Sequence, residues 1–318
     1  MLLVFSSPSN SYCCSVFQAP EGRYPYAVSL KDENGTHFCG GSLIANDVVL
    51  TAAHCIYLDM NFTVVIGRYN LTNINVGDDV TIAEKVPHPN YNMRISEDYD
   101  FGLVFLSRPT TVDVDIAPIN ANNSVPAIGA AVTYLGWGEI DSDVSTLNCS
   151  QTLREVESNI ITNEQCEASA GIVDGTKSTD SYEDLITENM LCTFAIDKDS
   201  CQKDSGGPLI IRGKDASGDV QVGIASWGVS CASDIFPGVA ARISSVHNWI
   251  EDTVCSKSIE PGPAFKCAHT TLLEIDMSDL ANTSEGYTAS SVATNSQSTN
   301  TALGIVMFAL ANYMMGSI

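Results

Sequence analysis

Basic residues are scarce in this chain: 15 Lys and Arg stand against 38 Asp and Glu, a formal charge of -23. That deficit excludes the clustered positive surface that nucleic acid or an anionic membrane surface requires. The acidic balance favours cationic partners instead, in a salt-dependent way. The apolar run Ala302 to Ala311 is short of the roughly 20 residues of a spanning helix, and no basic residue flanks it. Among 11 cysteines there is no CxxC pair, which removes the common zinc and thioredoxin arrangements and leaves disulfides as their expected use. Also absent is a basic, apolar leader. Met1-Leu2-Leu3-Val4-Phe5 is too short for an export signal, which needs an apolar stretch of about 7 to 15 residues, so an exported product is expected to have further coding sequence upstream.

Export is nevertheless what the rest points to. Asn-x-Ser/Thr sequons begin at Asn34, Asn61, Asn70, Asn122, Asn148 and Asn282, and together with the cysteines they imply an exported glycoprotein. Short apolar or alternating runs recur from Tyr26 to Leu106 and again from Ala131 to Ile243, separated by Asn, Asp, Gly and Pro. This spacing predicts an all-β protein built as two barrels, about 19–118 and 119–243. One helix is predicted, over 244–254, with Ser244 as its cap and Val246, Trp249, Ile250 and Val254 on one face. Residues 1–18 form an atypical N-terminal segment. After the folded domain, 19–255, the Ser/Thr/Asn-rich stretch 256–300 reads as a stalk with too little apolar surface to fold. The apolar tail 301–318, preceded by small residues and a polar spacer, has the ingredients of a glycolipid-anchor signal attached near Ala289 to Ser291.

Chemistry concentrates in Cys201-Gln202-Lys203-Asp204-Ser205-Gly206-Gly207-Pro208. A serine hydroxyl needs a base to become a nucleophile. Of five histidines, His54 is singled out by its setting in Thr51-Ala52-Ala53-His54-Cys55, with Cys39 of Cys39-Gly40-Gly41-Ser42 close enough in sequence to clamp that turn. A buried acid must hold the imidazole. Asp100 leads directly into the apolar run Phe101 to Leu106, and Asp98 is the competing choice.

These motifs, in this order, resemble the trypsin/chymotrypsin family of serine endopeptidases. Arg23-Tyr24-Pro25-Tyr26, His88-Pro89-Asn90-Tyr91, Gly136-Trp137-Gly138, Ser226-Trp227-Gly228 and Pro237-Gly238-Val239 extend the likeness over about 19–254. The order His, Asp, Ser and the absence of Gly-x-Ser-x-Gly exclude an α/β-hydrolase. The resemblance implies two six-stranded antiparallel barrels with a C-terminal helix and a triad of His54, Asp100 and Ser205. It further implies an oxyanion hole from the N–H groups of Lys203 and Ser205, and substrate-binding positions Asp199, Ser200, Ser226, Gly228 and Gly238. With Asp199 at the pocket floor, the implied substrates are proteins or peptides with Arg or Lys before the scissile bond, and protein inhibitors are implied partners. No cofactor is expected. Disulfides Cys39 to Cys55, Cys166 to Cys192 and Cys201 to Cys231 carry over by resemblance. Val132 and Ile211 replace a further family bridge, and Cys13, Cys14, Cys149, Cys255 and Cys267 are left unassigned.

The chain departs from this family in four places. The segment before Ala19 offers no Ile-Val-Gly-Gly terminus to pair with Asp204. Lys203 stands where a glycine is usual. The loop from Cys166 to Cys192 is long and carries Asp174, Asp180, Glu183 and Asp184, which would favour basic residues in the unprimed subsites. Arg68 takes the place of the first calcium-loop carboxylate, although Asp78 and Asp79 remain, so no metal is expected. The first two departures keep a second function open: a non-catalytic homologue that uses the same cleft to bind a protein.

Overall fold

Short strands of alternating polarity bury one face by closing into a ring, which also removes their unpaired edges. The computed structural model describes residues 17–57, 60–138, 149–172, 179–195, 204–229 and 233–267. A two-residue strand, β1 (Phe17–Gln18), precedes six strands: β2 (Ala27–Asp32), β3 (His37–Ala45), β4 (Val48–Thr51), β5 (Phe62–Ile66), β6 (Asp78–Pro87) and β7 (Gly102–Leu106). These close as β2-β3-β4-β7-β6-β5, sealed by β2 against β5. The second half contributes β8 (Ala131–Gly136), β9 (Arg154–Ile161), the small hairpin β10 (Ala170–Ile172) and β11 (Thr179–Ser181), then β12 (Met190–Phe194), β13 (Pro208–Ile211), β14 (Val220–Trp227) and β15 (Gly238–Arg242). Its ring runs β9-β12-β15-β14-β13-β8 and is sealed by β8 against β9. The chain is therefore all-β with two closed six-stranded antiparallel barrels.

The N-terminal segment does not stop short of this architecture. Phe17 and Gln18 pair with Glu155 and Arg154, so β1 extends the second barrel's sheet. Val28, Leu30, Leu43, Val64, Leu103 and Val104 fill the first barrel without exposure, each contributing about 1.5–3 kcal/mol of apolar burial. In the second barrel Val132 and Ile211, the apolar pair in place of a bridge, meet in one cluster with Tyr134, Leu209 and Val222.

Three α-helices, α1 (Ala53–Ile56), α2 (Asn163–Glu167) and α3 (Ile243–Lys257), and a 3-10 turn over Ala216–Gly218 complete the elements of the described residues. Thr162 caps α2 in a capping box with Gln165. The expected Ser244 cap of α3 is not formed. Ile243 is itself fully buried and starts the helix directly after β15, so Arg242 holds the N-cap position without a side-chain bond and Ser244 turns inward. Val246, Ile250 and Val254 lie on one face and enter the first barrel's core, so a helix that follows barrel two locks onto barrel one.

Composition assigns 256–300 to a stalk, and over 256–267 the structure differs. The described part of the compact unit runs through Cys267. Cys255 and Cys267 form a disulfide. Between them the chain crosses barrel one as a strap: Asp47 accepts bonds from Ser258 Oγ (2.5 Å), Ile259 N–H (2.6 Å) and Glu260 N–H (3.4 Å), and Phe265 joins the core. The sparse apolar content of 256–267 suffices because a preformed barrel supplies the other half of each contact. Residues 268–318, with the anchor signal and Asn282, lie outside the described residues, as do Cys13, Cys14 and Asn148.

Candidate active site

His54 sits on α1, one turn that starts where β4 ends. Ala52 enters it in an extended conformation, and the Cys39–Cys55 disulfide ties the turn to β3. Asp100 precedes β7 and is fully buried. Its Oδ1 accepts the His54 backbone N–H at 2.9 Å, and its Oδ2 lies 2.8 Å from His54 Nδ1. An ionised carboxylate only accepts, so Nδ1 carries the proton and Nε2 is left as a base. Ser226 Oγ at the end of β14 donates a third bond to Asp100 Oδ2, 2.6 Å. Asp98, the competing acid, turns away and accepts from Thr187 Oγ1 (2.7 Å) and Asn189 Nδ2 (3.0 Å) across the barrel interface.

Burial alone would push the His54 imidazolium to lower pKa. The hydrogen bond and charge of Asp100, with help from Glu97, more than offset that, and the pKa is raised. Glu97 is a group that no sequence motif singles out. It adopts a left-handed backbone, φ 59°, as do Asn92 and Tyr99. This bend brings its Oε2 to 4.0 Å from His54 Nδ1, where the Tyr91 hydroxyl donates to it at 2.8 Å.

Ser205 is held by backbone bonds from both barrels. Its carbonyl accepts the Gly40 N–H of β3 at 2.8 Å, the Gly206 N–H donates to Ala225 O of β14 at 2.8 Å, and the Ala225 N–H returns a bond to Gly207 O at 2.9 Å. Gly206 has φ +82°, and a Cβ there would strike Thr51 Oγ1 and Gly40 O. The Thr51-Ala52-Ala53-His54 and Asp204-Ser205-Gly206-Gly207 motifs therefore interlock physically. Asp204 Oδ1 accepts the Gly138 N–H at 2.8 Å, in a space that Gly136 and Gly138 leave open because a Cβ on either would meet its carboxylate.

Gly228 and Gly238 face each other, with a Cβ on the first only 3.8 Å from the second's Cα. The fully buried Tyr182 braces the two segments next to these glycines, its hydroxyl donating to Pro237 O (3.0 Å) and accepting the Val229 N–H (2.9 Å). A buried phenol needs such partners, but nothing in the sequence says which. Asp180, Glu183 and Asp184 are exposed. Asp174, Asp199, Ser200, Cys201, Lys203 and Cys231 lie outside the described residues. Cys166 and Cys192 are bridged.

His54, Glu97 and Asp100 bring their ligand atoms within 4.8 Å of one another, but a metal bound to Nδ1 and Oδ2 would displace the hydrogen bond between them. Asp79 pairs with Arg68 at 2.7 Å and Asp78 with Arg108 at 2.7 Å.

The sequence profile described as Trypsin matches residues 14–250. The chain belongs to the trypsin family. It is 36% identical to the anionic trypsin of Canis lupus familiaris over 245 residues, 76% of this chain and 89% of the dog protein. It is 34% identical to trypsin theta of Drosophila melanogaster, over 72% of this chain and 81% of that one. It is 33% identical to the trypsin of Sus scrofa, over 73% and 91%. As a trypsin-family member the chain is a serine endopeptidase. The strap and its disulfide fall beyond the matched span.

Proposed function

We propose that the protein is an extracellular endopeptidase that cleaves after Arg or Lys through His54, Asp100 and Ser205. The observation that carries this reading is the buried Asp100 carboxylate, which fixes the backbone and Nδ1 of His54 together and leaves Nε2 to act. In the mechanism His54 Nε2 takes the Ser205 proton as Oγ attacks the scissile carbonyl. The imidazolium, stabilised by Asp100, then protonates the leaving amine, and an acyl-enzyme remains on Ser205. Water, deprotonated by the same nitrogen, attacks the ester, and the proton returns to Ser205. The N–H groups of Lys203 and Ser205 are assigned to the oxyanion, and Asp199 to the cationic side chain, with Ser200, Gly228 and Gly238 as its surroundings and Ser226 along the substrate.

The trypsin names of the relatives support the Arg/Lys preference. Bridged cysteines and the exposed sequons Asn34, Asn61 and Asn122 support export and glycosylation, and attachment through residues 301–318 completes the proposal. No helix among the described residues is long and apolar enough to cross a membrane. The test is hydrolysis of Arg, Lys and Phe amides by the wild type and by Ser205→Ala. Cleavage of Arg and Lys amides, lost in the variant, is expected. Equal rates for the two proteins would favour the non-catalytic binding role.

A further inference from the structure

Four sequons lie among the described residues, at Asn34, Asn61, Asn70 and Asn122, and one is built differently from the rest. Asn34, Asn61 and Asn122 are exposed, whereas Asn70 is half-buried and forms part of the wall of a cavity of about 290 Å³. Its backbone is held by a bridge to Thr152 and by the Asn73 N–H, which donates to its carbonyl at 2.9 Å. Its Oδ1 accepts from the Thr72 N–H (3.0 Å) and from Thr72 Oγ1 (2.7 Å). Both bonds go to the oxygen, so Nδ2 donates to no described residue and stays open to solvent. Asn61 differs, since its Nδ2 already donates to Glu33 Oε1 at 3.0 Å.

The cavity beside Asn70 is preformed. Tyr24, Trp137 and Leu153 are buried in its wall, with Pro25, Val112 and Val114 adding apolar surface. Two of its rings have their polar tips bound elsewhere, the Tyr24 hydroxyl to Glu155 at 2.6 Å and Trp137 Nε1 to Tyr69 O at 3.0 Å. Arg68 stands in the same wall and is 4% exposed. Its Nε donates to Val76 O and its Nη2 pairs with Asp79, but Nη1 is buried without an acceptor. A buried donor left unpaired is costly. The wall therefore suits a group with an apolar face and one acceptor. The exposed carboxylates of Glu21 and Asp113 at its edge oppose an anion there, so the acceptor it suits is neutral.

We propose that Asn70 carries an N-linked glycan whose first sugar, an N-acetylhexosamine, is seated in this cavity. This rests on the export reading above and goes beyond it in naming the residue and the seat. The attachment joins Nδ2 to the anomeric carbon of the sugar and breaks that carbon's bond to a glycosyl pyrophosphate donor. The pyrophosphate leaves, one Nδ2 proton passes to solvent, and the other stays on the amide nitrogen. The C–H face of the ring lies against the apolar wall, and its acetamide carbonyl is the neutral acceptor that Arg68 lacks. A cavity near the lower bound of about 300 Å³ for ligand sites admits one ring, so the remaining sugars extend into solvent. Seated in this way, the sugar ties the loop between β5 and β6, which carries Asn70 and Val76, to the segment 21–25 that leads into β2.

The experiment uses the full chain as Ser205→Ala, to prevent self-digestion, secreted behind an export leader from cells that N-glycosylate. Glycopeptide mass spectrometry reads occupancy at each sequon, and a peptide N-glycosidase is then applied to the folded and to the unfolded protein. Asn70 is expected to be occupied. In the folded protein its glycan should be released at least about tenfold more slowly than those at Asn34, Asn61 and Asn122, because release must wait for local opening. After unfolding, the rates should be alike. Val76→Trp, at an exposed position of the cavity rim, crowds the seat and should bring release at Asn70 to the rate of the other sites without loss of occupancy. An unoccupied Asn70 beside occupied Asn34, Asn61 or Asn122 would overturn the inference alone. So would release at Asn70 as fast as elsewhere, or slow release that persists in a folded Val76→Trp. No glycan at any of the four would overturn it together with the export reading.

Discussion

Replacing Asp47 by Ala probes the strap that lies beyond the family span. The Asp47 carboxylate is 1% exposed and receives two short bonds, from Ser258 Oγ at 2.5 Å and Ile259 N–H at 2.6 Å, with a weaker third from Glu260 N–H at 3.4 Å. Hydrogen bonds to a charged group contribute about 1.5–3 kcal/mol each. Loss of two that act as a unit therefore costs about 3 kcal/mol. For a domain of this size that is roughly 6–12 °C in Tm. Phe265→Ala, which removes the strap's buried ring, should cost about 3 kcal/mol. Because each variant releases the same segment, the double variant should lose clearly less than the sum. Activity on small amides at 25 °C should persist, since Asp47 precedes β4 while His54 follows its far end. The assay is thermal unfolding with parallel initial rates. A Tm shift below 1 °C for Asp47→Ala, or full additivity with Phe265→Ala, would refute the docked strap.

Other outcomes follow from the same structure. Burial holds His88 at a pKa of about 4, only partly countered by Asp98, so the folded state binds fewer protons than the unfolded one below pH 6.5. His88 therefore gives stability that is full above that pH and is lost as pH falls toward 4, about 2–3 kcal/mol by pH 4.5. The urea midpoint of the wild type minus that of His88→Phe should decrease as pH falls from 6.5 toward 4, and a difference independent of pH would contradict this. Because His54 is raised and must be neutral to act, kcat/KM should rise with pH through a midpoint above the ordinary histidine value, and Ser226→Ala should lower kcat about tenfold by removing one bond to Asp100. A chelator should leave Tm unchanged. Asp78→Asn should lower it, because the Arg108 pair and the Thr111 bonds hold the Asp78 carboxyl far below its usual range.

The barrels were legible because each strand alternates or is flanked by turn residues, and the His54–Asp100 pair because its motifs are local and ordered. Other features were not legible, each because a distant part of the fold determines it. The strand Met190–Phe194 is a short apolar run whose only signal is its partners β9 and β15. Ser244 looked like a cap because nothing in the letters shows that Ile243 must be buried. Nothing in the letters shows that a loop with three left-handed residues brings Glu97 to His54. The strap failed for a related reason: composition measures whether a segment can fold alone, and this one folds onto a barrel. Tyr182 shows the same limit, since its two backbone partners, Val229 and Pro237, come from 47 and 55 residues away.

The central claim is that Ser205, activated by His54 and Asp100, forms an acyl-enzyme with substrates bearing Arg or Lys at P1. Pre-steady-state hydrolysis of an Arg ester with a chromogenic leaving group tests it directly. The account predicts a burst approaching one equivalent of leaving group per protein, lost in Ser205→Ala and strongly reduced in His54→Ala, with the acyl mass recovered on the peptide containing Ser205. A burst that persists in Ser205→Ala, or an acyl group recovered on another residue, would contradict it.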